Sequence, residues 1–251
     1  CKSTSKNASS SSSKTKELTL YDRRKYDYLY FEGLKEKMLG NVAEALEKFG
    51  RCVQMDPTAS APQYEIATIL HNTGRSEEGV PFAKKASGLD PGNPWYLQLH
   101  AECLRGAGNM NEAALVYEKG LKAFPGRKDF YFELGAIYLV GGKYEKALAV
   151  YDKLELKTGV YEELSVTKQK IWLRLGNVDK AVAELQRLSD HYPTEPRFVL
   201  MIGNLLSKGG NENCMSYFNK AIQMAPLSGI PHLYLHDHYL SKKENVNAFK
   251  E

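Results

Sequence analysis

The densest group of potential metal ligands is His232, His236 and His238. His232 and His236 are four residues apart, which on a helix puts both imidazoles on one face. Zinc sites usually draw further ligands from elsewhere in a chain. Four cysteines, Cys1, Cys52, Cys103 and Cys214, show no CxxC spacing, so neither a thiolate metal site nor a redox pair is indicated. Gly141-Gly142-Lys143 is followed by Tyr144, where a phosphate-binding loop needs Ser or Thr. Gly106-Ala107-Gly108 lacks the third spaced glycine of a dinucleotide loop. No GxSxG or HExxH occurs. The residues assemble no nucleophile, base or metal set, so we expect no catalysis, no metal and no cofactor.

The elements that carry these residues repeat. Pro57, Pro91 and Pro125 are 34 residues apart, Pro193 lies 68 further on, and Pro226 follows at 33. Gly40, Gly74, Gly108, Gly142 and Gly176 form an independent series, again at 34. After each of these glycines, apolar residues recur at three- and four-residue steps, as in Tyr144, Ala147, Leu148, Tyr151 and Leu154. Glycine supplies the backbone freedom for a tight turn, and proline stops one helix and can open the next. The unit is helix–turn–helix, and the fold class is all-α.

The pattern resembles the tetratricopeptide repeat. The fourth unit carries Tyr131, Leu134, Gly135, Tyr138, Gly142, Tyr144, Ala147 and Tyr151. The first has Gly33, Gly40, Ala45, Phe49 and Pro57; the third has Ala101, Leu104, Gly108, Ala113, Tyr117 and Pro125; the fifth has Trp172, Gly176, Ala181 and Pro193. The resemblance implies a right-handed superhelical solenoid of stacked antiparallel helix pairs over residues 26–251, six repeats plus a truncated seventh. Close helix approaches are expected at Gly33, Ala101, Gly135 and Gly203. Gly79 stands where alanine is usual, Gly159 replaces the terminal proline of unit four, and unit six is one residue short, a loss expected near Gly209 and Gly210. In this phase His232 and His236 are packing positions, and the cysteines are buried small residues. Ala248 falls at a small-residue crossing of a seventh second helix, so the natural chain is expected to continue past Glu251 or to be covered there.

The resemblance also implies a concave face lined by first helices that holds a peptide or a partner helix. Carried across, the phase gives Tyr30, then Tyr64, Thr68, His71 and Asn72, then Gln98, Glu102 and Arg105, then Phe132, Lys170, Arg174 and Asn204. The chaperone-binding members of the family hold a C-terminal carboxylate with Lys, Asn and Arg. The matching places here are Tyr30, Leu34, Glu65, Trp95 and Leu99, so that clamp is not expected.

Residues 1–25 hold seven Lys/Arg against two Asp/Glu, which leaves residues 26–251 at −1 of the total +4. The array therefore has no bulk field for nucleic acid, and no small-molecule substrate is expected. Seven of the first thirteen residues are Ser, and no large apolar residue precedes Leu18; such a stretch is expected to be a disordered tether, with a lead-in to residue 25. Cys1 followed by this tether resembles a mature bacterial lipoprotein, acylated at Cys1 and anchored to a membrane. No acidic run follows Cys1, unlike the surface-displayed lipoproteins of Bacteroides-like bacteria, which points to an outer-membrane lipoprotein facing the periplasm. The expected role is a non-catalytic protein–protein scaffold for envelope or outer-membrane complex assembly. Alternatives are a cytoplasmic peptide-recognition or regulatory module, and the repeat part of a longer protein.

Overall fold

A computed structural model describes residues 18–242. The expectations for the tether, for Cys1 and for the segment around Ala248 lie outside the described residues. Every described element is an α-helix, and the helices divide into two compact units, with the chain passing from one to the other between Phe124 and Pro125. Among the described residues, no helix is long and apolar enough to cross a membrane.

The first unit comprises α1 (Leu20–Leu39), α2 (Val42–Met55), α3 (Ser60–Asn72), α4 (Ser76–Leu89), α5 (Pro94–Gly106) and α6 (Met110–Ala123). The helix α1 opens before residue 26, so residues 20–25 are helical rather than lead-in. Its start is a capping arrangement: Thr19 Oγ1 accepts from the Asp22 amide at 3.1 Å and donates to Asp22 Oδ2 at 2.6 Å, satisfying amides that have no partner inside the helix.

In each pair the first helix ends on a left-handed glycine. At Gly40, φ is +80°, and the amide of Asn41 reaches back to Glu36 O at 2.9 Å. The same bond recurs from Arg75 to Leu70 and from Asn109 to Leu104, both at 2.8 Å. This Schellman closure needs a residue that adopts positive φ without strain, which is the physical content of the glycine series.

Packing between pairs explains the rest of the spacing. Phe49 lies against Gly33, where a Cβ would come within 2.9 Å of its ring. Ile66, Ile69 and Leu70 of α3 join Ala45 and Phe49 in one apolar cluster. Thirty-four residues earlier, α1 places Glu32, Lys35 and Glu36 at the same phase, and Lys35 pairs with Glu32 at 3.1 Å. The outward side of α1 therefore differs from the inward-packing side of the later first helices. Gly79 also finds its reason: a Cβ there would approach Cys103 Sγ at 3.2 Å, so the sulfur fills the space of the expected alanine methyl.

The second unit comprises α7 (Lys128–Val140), α8 (Tyr144–Thr158), α9 (Glu162–Arg174), α10 (Val178–His191), α11 (Pro196–Lys208), α12 (Cys214–Met224) and α13 (Gly229–Ser241). Its turns use Gly142, Gly176 and Gly210, with φ between +67° and +71°. Gly210 keeps the 34-residue step from Gly176, so the missing residue of unit six is not lost at Gly209 and Gly210. The helix α12 takes the loss: it has 11 residues against 14 in α10 and opens only at Cys214. Tyr151 packs over Gly135, and Phe218 over Gly203, where a Cβ would come within 2.8 Å. Leu185, Val199, Ile202, Leu206, Phe218 and Leu235 form the apolar core at the far end of this unit.

The histidines divide differently from the expectation. His238 is the buried one, with Nδ1 2.7 Å from Ser207 Oγ and 3.7 Å from Cys214 Sγ. His232 and His236 are only half-buried. Pro231, Leu235 and His238 form the buried stripe of α13, so His232 and His236 lie at its margins rather than at packing positions. Among the described residues, no group of three or more His, Cys, Asp and Glu is placed to hold a metal ion.

Candidate partner-binding surface and an embedded charge cluster

In the first unit, aromatic and amide side chains line the first helices. Tyr30 stands half-buried on α1, with its ring 5.7 Å from that of Phe49 in edge contact. Burial and the nearby Glu65 push its phenol up to about 12, so it stays a neutral donor. Tyr64 of α3 meets Tyr96 of α5 with ring centroids 4.8 Å apart. Both rings are half-buried, so one edge of the pair is open to a ligand. Gln98 donates to Glu102 at 2.8 Å one turn along α5, and Arg105 follows on the same helix, exposed. Lys37 of α1 reaches Glu65 of α3 at 2.6 Å, tying the two first helices together.

Two expected contact residues are occupied internally. Thr68 Oγ1 donates to Tyr64 O at 2.8 Å, and His71 Nδ1 is 3.0 Å from Ser76 Oγ at the start of α4. The first bond stays within α3, and the second spans the α3–α4 turn. Asn72 is exposed beside them. Tyr96 was missed in the sequence, although it stands 32 residues after Tyr64 and so falls off the 34-residue step by two.

In the second unit, Phe132 is half-buried and packs on Tyr151 at 5.7 Å between centroids. Lys170 and Arg174 are exposed on α9, and Asn204 is half-buried on α11.

The second unit also holds an ionic cluster that the sequence reading passed over. Lys168 of α9 is 2% exposed. Its Nζ lies 2.7 Å from Asp152 Oδ1, 2.9 Å from Glu155 Oε2 and 2.9 Å from Glu184 Oε1. Arg187 of α10 bridges Glu155 at 2.9 Å and Glu184 at 3.3 Å. Burial alone would lower the Lys168 ammonium, but the three carboxylates outweigh it and raise it well above the ordinary lysine value. The same step in the other first helices gives Glu32, Ile66, His100, Leu134, Ile202 and His236. A lysine between Leu134 and Ile202 was the available signal.

Residues 62–93 and residues 100–159 match models of the tetratricopeptide repeat. The fold is an all-α tetratricopeptide-repeat array. Similar curated proteins include BBSome complex member BBS4 of Bos taurus, 22% identical over 204 residues, covering 81% of this chain and 39% of that protein. Protein O-mannosyl-transferase TMTC1 of Homo sapiens is 26% identical over 195 residues, covering 76% of this chain and 22% of that protein. This chain thus spans well under half of either relative. Among solved structures, the C-terminal part of a repeat-containing protein from Cytophaga hutchinsonii superposes with a TM-score of 0.61 at 14% identity, covering 90% of each chain. A tetratricopeptide-repeat array of this kind is generally a non-catalytic scaffold for protein partners.

Proposed function

We propose that the chain is a non-catalytic scaffold that holds an extended peptide or a partner helix on its first-helix surface. The observation that carries this reading is the Tyr64–Tyr96 pair, two half-buried phenols in tilted contact, 4.8 Å between centroids, on neighbouring first helices. Such rings give large contact area at low entropic cost. The Gln98–Glu102 pair beside them offers hydrogen-bonding groups to a peptide backbone. In the first unit the surface comprises Tyr30, Tyr64, Tyr96, Asn72, Gln98, Glu102 and Arg105; the second unit offers a surface of its own with Lys170, Arg174 and Asn204.

We further propose that Cys1 is acylated and that the Ser-rich stretch tethers the array to the periplasmic side of a bacterial outer membrane, where it takes part in assembling an envelope complex. Cys1, the seven serines behind it and the lack of an acidic run support this address.

Photo-crosslinking tests the surface. p-Benzoylphenylalanine at Gln98 should capture one defined envelope protein in native cells, and the same probe at exposed Leu115 on α6 should not. Equal capture at both positions overturns the surface assignment. Acyl labelling of the native protein tests the address: an unmodified Cys1 thiol removes the lipoprotein reading and leaves the scaffold reading standing.

A further inference from the structure

The outward side of α1 carries an unusual run of exposed apolar residues. Leu20, Tyr21, Tyr28, Phe31, Met38 and Leu39 are between 64% and 87% exposed. An advance of about 100° per residue puts all six within one arc of about 100°, opposite the face where Leu29 and Gly33 are buried. The stripe runs the length of a 20-residue helix, about 30 Å at 1.5 Å per residue. Arg24 and Lys35 lie inside the arc, Lys25 and Glu32 at one margin and Asp27 at the other.

Residues 1–17 cannot cover this stripe, because they contain no large apolar side chain. A second copy of the chain would bring two strongly basic segments together, since residues 1–25 hold seven Lys/Arg and two Asp/Glu. An anionic surface meets the opposite condition. It attracts the basic segment, and its headgroup layer accepts aromatic and aliphatic side chains from a helix lying flat.

We propose that α1 lies on an anionic lipid bilayer, with Tyr21, Tyr28, Phe31 and Met38 entering the headgroup region and Arg24, Lys25 and the preceding lysines pairing with lipid phosphate. This deepens the membrane-tethered reading but does not depend on acylation. The contact would fix how the first helix pair stands on the membrane, where attachment through Cys1 alone would leave it free to turn.

The test uses the whole chain with Cys1→Ser, so that no acyl chain contributes. Sedimentation is measured with vesicles of phosphatidylglycerol and phosphatidylcholine in equal parts, and with phosphatidylcholine alone. The expected result is binding to the anionic vesicles at least about tenfold tighter than to the neutral ones, weakening with added salt. The Tyr28→Ser/Phe31→Ser/Met38→Ser variant, at exposed positions and with an unchanged melting curve as control, should lose about tenfold or more. No preference for anionic vesicles overturns the proposal. So does full retention of binding by the triple variant, which would assign the attraction to the tail lysines alone. Acyl labelling of native Cys1 is read separately, so failure of the helix contact and failure of the lipoprotein reading are distinguishable.

Discussion

Lys168 Nζ stands 2.9 Å from Glu184 Oε1 in a position where the neighbouring repeats carry Ile, His or Leu. The ammonium joins α8, α9 and α10 through three carboxylates. A buried charge with partners costs little net free energy, but removing one partner exposes the others to an apolar setting without compensation.

Lys168→Met should therefore destabilise the second unit by up to about 3–5 kcal/mol, since it leaves the buried Glu155 and Glu184 with only the half-exposed Arg187 as a cationic partner. Adding Asp152→Asn and Glu184→Gln should recover a large part. Urea unfolding followed by circular dichroism reads both steps; a Lys168→Met protein as stable as the parent would show the cluster to be ornamental.

Stability should fall on acidification in two stages. Burial, with Lys84 and Lys119 nearby, takes His100 from the usual 6.5 down to about 4. The unfolded chain then binds its proton first, so the stabilising contribution is complete above 6.5 and is lost as pH falls toward 4. Burial alone would raise the Glu155 carboxyl, but Lys168 and then Arg187 outweigh it and hold it below its ordinary value. Its contribution is present above about 4.3 and lost as pH falls through the lower folded value. His100→Gln should flatten the curve between pH 6.5 and 4, and Glu155→Gln should flatten it only below that range. Urea midpoints across pH 3–8 decide it, and unaltered slopes in both variants would refute the assignment.

Gly135→Ala should cost about 1–3 kcal/mol, because the new methyl runs into the Tyr151 ring and hydroxyl. Tyr151→Leu in the same chain should relieve part of the loss, while Tyr151→Leu alone leaves a cavity. A double-mutant cycle on melting temperatures measures the coupling, and simple additivity would argue against the contact.

Cys52, Cys103 and Cys214 are buried free thiols. Burial pushes Cys52 up to about 11 and Cys103 up to about 12, and raises Cys214 as well. All three should resist alkylation at pH 8 in the folded protein and react once urea unfolds it. Peptide mapping by mass spectrometry follows each site, and fast native labelling of Cys103 would contradict the packing of α4 on α5.

The helix pairs were legible because turn chemistry and core packing both impose a fixed step. A left-handed glycine ends the first helix of each described pair from α1–α2 to α11–α12, and at Gly33, Gly135 and Gly203 the missing side chain makes room for an aromatic on the second helix. Gly33 with Phe49 and Gly203 with Phe218 follow from that requirement alone. The charge cluster was harder to see, since Asp152, Glu155, Lys168, Glu184 and Arg187 lie on three helices and look like ordinary surface charges one helix at a time. Tyr96 was lost for a related reason: its side chain reaches Tyr64 from a position off the repeat step, so no periodic signal marks it. His238 shows the limit of phase in the last helix, where the inward stripe is set by contacts with Ser207 and Cys214.

The charged triplet on α1 has a genetic consequence. A tandem copy of the DNA for α3–α4 would bring Ile66, Ile69 and Leu70 onto the back of another pair, where their apolar neighbours suit them. The same event at α1–α2 would press Glu32, Lys35 and Glu36 into that dry groove. The opening pair is thus the one module in the first unit that duplication cannot propagate inward without further mutation, and growth of such an array is confined to the repeats behind it.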